Sequence, residues 1–402
     1  MALPELPVGE RIRYWREKRQ RKQAAVAGLC GISEEYLSQI ERGLKMPSLP
    51  VLHAIATELG VPVAALLQEA PRMAPLDAQE GVDARVAKAL MGYGMTGTLQ
   101  PVSPELLRER VEAAWRTWQT SPTRFTDVAA VLPELIADAE YALRAVRRTG
   151  DSLARRDVLR AAADLYGMLR SYCRRAGRVD LSLMVADRAL RAAEEADDPI
   201  RVGAARWNLG HALLASGEHE GAEQVALLGI EQLLQDAPAH CSAVALVGAL
   251  HLVAVVADSR RKRWDLARDR LSTQAAPRAF QVGEGNVMWT VFGPTNVELH
   301  IVSIDMEAGK AAQALRMADQ IDTSQLPSIE RRFTFLLEVA RCYDLRREDP
   351  AVLVHLLDIE EMAPEDLSRS PLARDMVNRL RRRVRPIYRR QVDALAVRLG
   401  VL

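Results

Sequence analysis

Little in this chain of 402 residues suits covalent chemistry. Cysteine occurs four times, at Cys30, Cys173, Cys241 and Cys342, with no CxxC pair. That spacing argues against a disulfide framework or a thiolate zinc site and favours buried thiols in a reducing cytosol. The seven histidines show neither HExxH nor His/Cys ligand spacing, so no metal site is expected. There is no nucleophile elbow, no phosphate loop and no defensible pair of catalytic carboxylates. The expectation is therefore no catalytic residue, no cofactor and no enzymatic activity. No basic-then-apolar leader opens the chain, which points to the cytoplasm. Long apolar runs are also scarce. The strongest, Cys241–Ala257, contains His251 and follows Pro238, and it is short against the roughly 20 apolar residues of a membrane span. It reads as a buried helix of a helical array, with no membrane partner.

Net charge is almost absent too, at +1, so the whole molecule is not a polyanion binder and any basic surface must be local. Residues 11–22 supply one: Arg11, Arg13, Arg16, Lys18, Arg19, Arg21 and Lys22 stand against Glu17 alone. Such a run is either a solvated helix face or a phosphate anchor. Hydrophobic residues make up 49% of the chain, ample for a core. The length suggests two or three domains.

The basic run leads into residues 23–43, which read as two short helices around a tight turn. Ala27 is small where the helices cross. Gly31 suits a turn with φ > 0, and Ser33 suits the N-cap of the second helix. Leu37 and Ile40, three apart, face inward, which leaves Glu34, Glu35, Ser38 and Gln39 outward. The flanking helices are expected at about 9–18, with Ile12 and Trp15 inward, at Leu49–Glu58 and at about 63–67. Pro47 and Pro62 fit helix starts, and Gly60 a C-terminal stop.

Tyr36-Leu37-Ser38-Gln39-Ile40-Glu41-Arg42-Gly43, with Pro47-Ser48-Leu49 and Ala56-Thr57-Glu58-Leu59-Gly60-Val61, resembles the Cro/C1-type (XRE) helix-turn-helix family over about residues 8–68. The resemblance implies a five-helix unit that binds double-stranded DNA. It implies a buried ion pair between Arg16 and Glu41 that orients the second helix of the motif. It places Glu34, Glu35 and Gln39 at base edges. Gln39 suits adenine N6/N7, and a glutamate suits cytosine N4. First-turn carboxylates also stabilise the helix dipole, so the glutamates have a second reading. Gln23, Tyr36, Ser38, Arg42, Gly43 and Lys45 fall at positions that hold the phosphate backbone and position without specifying. Tyr36 also fits a thymine methyl, a sugar, or packing within the unit.

Residues 71–103 are rich in proline and glycine and read as a linker, with a short helix near 82–91. From 104 to 402 the pattern is helix after helix. Trp207-Asn208-Leu209-Gly210, then Gly217, then Ala222 has tetratricopeptide spacing. Weaker units centre on Gly177 and Ala189, Trp264 and Ala267, Gly309 and Ala314, Tyr343 with Pro364, and Trp115, Trp118 and Leu132. The fold class is therefore all-α: an N-terminal unit (1–70), a linker (71–103) and a solenoid of helical hairpins (104–402). The final helix, from about Pro371, carries Arg379, Arg381, Arg382, Arg383 and Arg385. It reads as a polar cap, or as a second nucleic-acid contact.

One segment, 281–300, breaks the pattern. Phe292-Gly293-Pro294-Thr295-Asn296, followed by a helix with His300, resembles a segment of actinobacterial XRE–tetratricopeptide regulators. The low lysine count, six among 54 basic residues, fits such a high-GC source. Asn296 and His300 share a helix face. Trp289 and Phe292 are placed beside them as the apolar lining of a site for a small molecule or peptide; the alternative is a loop-to-helix junction with a satisfied histidine. The expected function is a dimeric regulator of transcription on a roughly palindromic operator, nucleoid-associated and controlled by a signal bound in the array. The alternative is a constitutive DNA binder whose array docks proteins.

Overall fold

The computed structural model describes residues 8–61, 63, 66, 81–93, 102–149, 152–238, 240–324 and 326–401. The chain divides into two compact units, Met1–Asp77 and Ala78–Leu402. Every regular element among the described residues is helical.

The first unit contains α1 (Val8–Lys18), α2 (Gln23–Leu29), α3 (Glu34–Glu41) and α4 (Leu49–Glu58). Its core is Ile12, Val26, Ala27, Leu37, Ile40, Leu52, Ile55, Ala56, Leu59 and Leu66, with Trp15 half-buried against it. α4 begins after Ser48 with Pro50 in its first turn. Pro47 therefore lies outside the helix it was expected to start, and the ring that pre-sets helical φ is Pro50. Gly60 ends α4 at φ 63°. Pro62 and most of the expected fifth helix lie outside the described residues.

The second unit opens with α5 (Ala84–Leu90), capped by Asp83. Its Val86, Ala89 and Leu90 are buried in the core that follows, so this part of the expected linker is packed rather than free. The rest of that linker, apart from 81–93 and 102–103, lies outside the described residues. Then come α6 (Pro104–Thr120), α7 (Arg124–Thr149), α8 (Ser152–Arg175), α9 (Val179–Glu195), α10 (Pro199–Ser216), α11 (His219–Asp236), α12 (Cys241–Arg260), α13 (Trp264–Arg270), α14 (Ala276–Val282), α15 (Pro294–Glu307), α16 (Ala311–Ala318), α17 (Ile329–Leu345), α18 (Asp349–Met362), α19 (Pro364–Arg369), α20 (Pro371–Arg383) and α21 (Pro386–Arg398).

Successive helices pack as hairpins, α8 on α9, α10 on α11 and α17 on α18. The reasons are those of tetratricopeptide-like repeats. Gly177, Gly217 and Gly309 turn the chain with φ between 77° and 85°, a region costly for residues with a Cβ. Gly210 sits where α10 meets α12: a Cβ there would come within 2.7 Å of Val253. Ala189, Ala222, Ala267 and Ala314 are all fully buried. α12 is long and apolar enough to cross a membrane, but 78% of its apolar stretch is buried inside the fold. Between α13 and α14 the helix widens into one π turn, Leu271–Ala275. Pro277, in the first turn of α14, has no N–H to give, and a π turn absorbs such a gap.

The helix from Pro371 is not the last. Pro386 lacks the N–H to continue it, and α21 packs back on α20. Three arginines of α20 are paired with carboxylates. Arg379 and Arg383 bond Asp344 at 2.8 and 2.5 Å, Arg383 also bonds Asp349, and Arg381 bonds Asp393. Arg382 and Arg385 stay exposed.

The array also closes on itself. Arg124, at the start of α7, is fully buried and bonds Asp366 of α19 at 2.5 and 2.9 Å. The Phe125 N–H donates to Glu365 at 2.7 Å. The inner helices α6, α8, α10, α12, α15 and α17 therefore surround one chamber.

Candidate nucleic-acid interface and ligand chamber

In the first unit, α3 is held by side chains and by shape. Ser33 Oγ accepts the Tyr36 N–H at 3.1 Å and caps the helix. Gly31 turns the chain at φ 66°. Gly9 of α1 lies directly on α3: a Cβ there would stand 2.0 Å from the Ile40 carbonyl oxygen. Arg16 grips Glu41 with two hydrogen bonds, Nε at 2.7 Å and Nη2 at 2.9 Å. The side chain of Glu41 is only 3% exposed. The bond to Glu41 raises the Arg16 pKa further. Gln23 Nε2 donates to the same carboxylate at 2.8 Å. α1, α2 and α3 thus meet at Glu41.

This clamp fixes what α3 shows to solvent. Glu34 and Glu35 are exposed, Ser38 and Gln39 half-buried, and Gln39 Nε2 lies 3.5 Å from Glu35 Oε1. Lys45 Nζ lies 5.5 Å from the centre of the Tyr36 ring. Arg42 Nε bonds the Ser38 carbonyl at 3.3 Å. Gly43 adopts φ 71°, and its N–H is taken by Ile40 O at 2.9 Å, so Gly43 contributes a turn rather than a free donor. The basic run is less charged than its composition suggests. Arg13 pairs with Glu17, Arg16 with Glu41 and Arg21 with Glu58, while Lys18 lies over the rings of Tyr14 and Trp15.

The chamber of the second unit has a volume of about 480 Å³, within the roughly 300–1,000 Å³ typical of ligand pockets. Trp115, Trp118, Trp207 and Trp289 line it, four of the chain's six tryptophans. Glu330 sits at the centre of its polar wall. It accepts from Arg174 at 2.8 Å, Arg175 at 2.9 Å, Ser171 at 3.0 Å and Arg124 at 3.3 Å. Burial alone would raise its pKa, but Arg175, Arg124 and Arg174 override burial and hold it well below the usual range. Arg170 donates to an amide oxygen, Asn208 Oδ1, at 2.8 and 2.5 Å. Burial, then repulsion from Arg174, pushes the Arg170 pKa down to about 9. Burial and Arg175 likewise lower Arg174 to about 10.

Asn296 and His300 reach this chamber from α15. Asn296 Nδ2 donates to Val291 O at 2.8 Å, and its Oδ1 accepts from Arg331. His300 Nδ1 is 2.7 Å from Asn296 O and 3.4 Å from Arg331 Nη2. Burial and Arg331 push its pKa down to about 3, so the ring is neutral at ordinary pH. Trp289 also lines the chamber, stacked on Trp115 at 5.4 Å and 4°. Its carbonyl accepts from Gln119 at 3.1 Å, and Gln119 in turn accepts from Asn286 at 2.6 Å. Phe292 does not line the chamber. Its ring packs on Gly248 of α12, where a Cβ would stand 2.0 Å away. Being the most apolar member of its loop, it went to the core. Met288, Trp289 and Val291 all have positive φ, 48°, 64° and 54°. Such backbone persists only where its surroundings hold it.

Residues 12–66 match the family model of the helix-turn-helix HTH_3. The N-terminal unit is a helix-turn-helix domain. The immunity repressor protein of Bacillus phage phi105 is 39% identical over 64 residues, which are 16% of this chain and 44% of that protein. The HTH-type transcriptional regulator DdrOP3 of Deinococcus deserti is 41% identical over 59 residues, 15% of this chain and 46% of that protein. The chain thus spans less than half the length of the curated relatives it matches. Among solved structures, Bacillus thuringiensis PlcR in complex with the peptide PapR7 and DNA is similar at TM-score 0.27 and 15% identity, over 68% of this chain and 95% of that one. The apo form of the competence regulator ComR from Streptococcus vestibularis gives TM-score 0.27 and 13% identity, over 98% of each chain.

Within the helix-turn-helix domain, α2 and α3 are the two helices of the motif. The Arg16–Glu41 pair read from the resemblance is present. Gln23, grouped with the backbone-holding residues, has its side chain on Glu41. Gly9 was not singled out, although glycine in a helix can mark a close backbone approach. In the array, Arg170, Arg174, Arg175, Glu330 and Arg331 were missed, because single charges on long helices carry no local pattern.

Proposed function

We propose that the chain is a sequence-specific regulator of transcription that reads double-stranded DNA with α3 and is controlled by a ligand in the chamber of its array. The observation that carries the DNA reading is the clamp at Glu41. It holds Glu34, Glu35, Ser38 and Gln39 on one outward face of a capped helix, as major-groove readout requires. Gln39 and at least one of Glu34 and Glu35 read bases. Tyr36, Ser38, Arg42, Lys45 and the start of α2 at Gln23 hold the backbone, with Gly43 turning the chain between Arg42 and Lys45. One such helix reads only a few base pairs, so the protein acts as a homodimer on a roughly palindromic operator. It works in the cytoplasm on the nucleoid of an actinobacterium. Residues 1–70 carry the DNA contact, 71–103 connect, and 104–402 carry dimerisation and sensing.

The tryptophan-lined concave chamber of about 480 Å³ favours a bound effector over a protein-docking platform. A ligand that prefers one arrangement of the array shifts the population of that arrangement, and with it the spacing of the paired DNA-binding domains. Selection of bound fragments from genomic DNA by the full chain, with and without a small-molecule extract of the host, tests this. A recovered inverted repeat that is lost or gained with the extract is the expected result. No enriched sequence in either condition would remove the reading.

A further inference from the structure

Among the charged groups lining the chamber, positive charge outweighs negative. Arg170, Arg174, Arg175, Arg260 and Arg331 face Glu307, Glu330 and Glu338. Glu307 is taken by Arg260 at 2.9 Å. Burial raises Glu338 to about 7, so it is only partly charged near neutral pH. Glu330 alone answers Arg174 and Arg175, and it also answers Arg124 behind them. Arg170 and Arg331 donate to amide oxygens, of Asn208 and Asn296, rather than to carboxylates. Arg174 Nε and Arg331 Nε are buried with no acceptor at all. Burying unbalanced guanidinium groups is costly, and a fold that needed only packing would not gather them here. Apolar ring area adjoins these charges: Trp207, whose ring lies 5.2 Å from the Arg170 guanidinium, and the Trp115–Trp289 stack.

We infer that the chamber binds a small organic anion, with its carboxylate or phosphate group between Arg170, Arg174 and Arg331 and a flat apolar body against Trp207 and Trp289. Guanidinium groups suit both kinds of anion, bonding them through paired N–H donors. Tryptophan faces suit a planar body. A volume of about 480 Å³ accommodates a compact molecule of this kind. This inference rests on the ligand-controlled reading above and gives it a substrate class.

Isothermal titration calorimetry of the full chain tests it with 1-naphthoate and 1-naphthyl phosphate against their neutral counterparts, 1-naphthamide and 1-naphthol. At least tenfold tighter binding of one anion than of its neutral counterpart is expected, and the stronger of the two identifies the head group. Arg331→Gln and Arg174→Gln should each abolish that preference, with thermal melts confirming that the variants fold. Equal binding of charged and neutral probes, or no binding of either anion at millimolar concentration, would overturn the inference, and both results come from the unaltered protein. The titration contains no DNA. Its failure, beside a persisting response of operator binding to extract, removes the anion and keeps the regulator.

Discussion

Lys45 and Glu338 show how one side chain can be argued from its surroundings. The Lys45 ammonium, held near the Tyr36 ring just past α3, is a point charge without hydrogen-bond specificity. Lys45→Ala should therefore weaken operator and random DNA alike and reduce the slope of log affinity against log salt by about one. A loss confined to operator DNA would show that Lys45 reads sequence instead. Glu338 has a folded pKa of about 7, raised by burial from its ordinary 4.5. The folded state therefore binds the proton more tightly than the unfolded chain. Its contribution is fully present below about 4.5 and falls away as pH rises to about 7. Neutral His211 and His300, both pushed down by burial, slope the other way. The effect must be read as a difference: stability of Glu338→Gln relative to wild type should rise between pH 5 and pH 7, in urea melts. A flat difference would place the carboxyl in contact with water.

At the scale of the element, the sequence was legible where the cause was local. α4 runs from Leu49 to Glu58 as expected, and Ser33, Gly31, Gly60 and the paired Leu37 and Ile40 all act as their types predict. The hairpin turns at Gly177, Gly217 and Gly309 were legible for the same reason. Pro47 and the helix from Pro371 were misjudged because two prolines compete at each place. The ring that sets the helix start was the next one along, and Pro386 ended a helix expected to continue. The crossing of α1 on α3 depends on a residue without a side chain. Gly9→Ala puts a Cβ against the Ile40 carbonyl, and backbone cannot swing aside. The substitution should destabilise the domain by at least the 1–3 kcal/mol usual for overpacking, about the upper end or more. Calorimetric melting of the full chain checks this, and an unchanged first transition would mean that α1 crosses elsewhere.

At the scale of the whole molecule, the array was legible as repeats but not as a closed array with a chamber. Trp115, Asn208 and Trp207 stood out as repeat residues, yet the sequence could not say that they face one cavity. Nor could it pair Arg124 with Asp366, 242 residues apart. The placement of Phe292 failed for the same reason: its partner, Gly248, lies in another helix. Closure has an energetic signature. Asp366→Ala would strand a fully buried guanidinium, with Glu330 its remaining carboxylate partner, and breaking such a pair costs about 3–5 kcal/mol. The expected outcome is a large drop in the melting temperature of the array. A drop no larger than that of an exposed substitution would show that the array stands open in solution.

The central claim is that α3 reads DNA sequence. Selection of bound genomic fragments repeated with Gln39→Ala tests it most directly. The account predicts the same inverted repeat with one position in each half-site relaxed, worth about 1–3 kcal/mol there. An unchanged motif, or an equal loss of affinity for operator and random DNA, would contradict it.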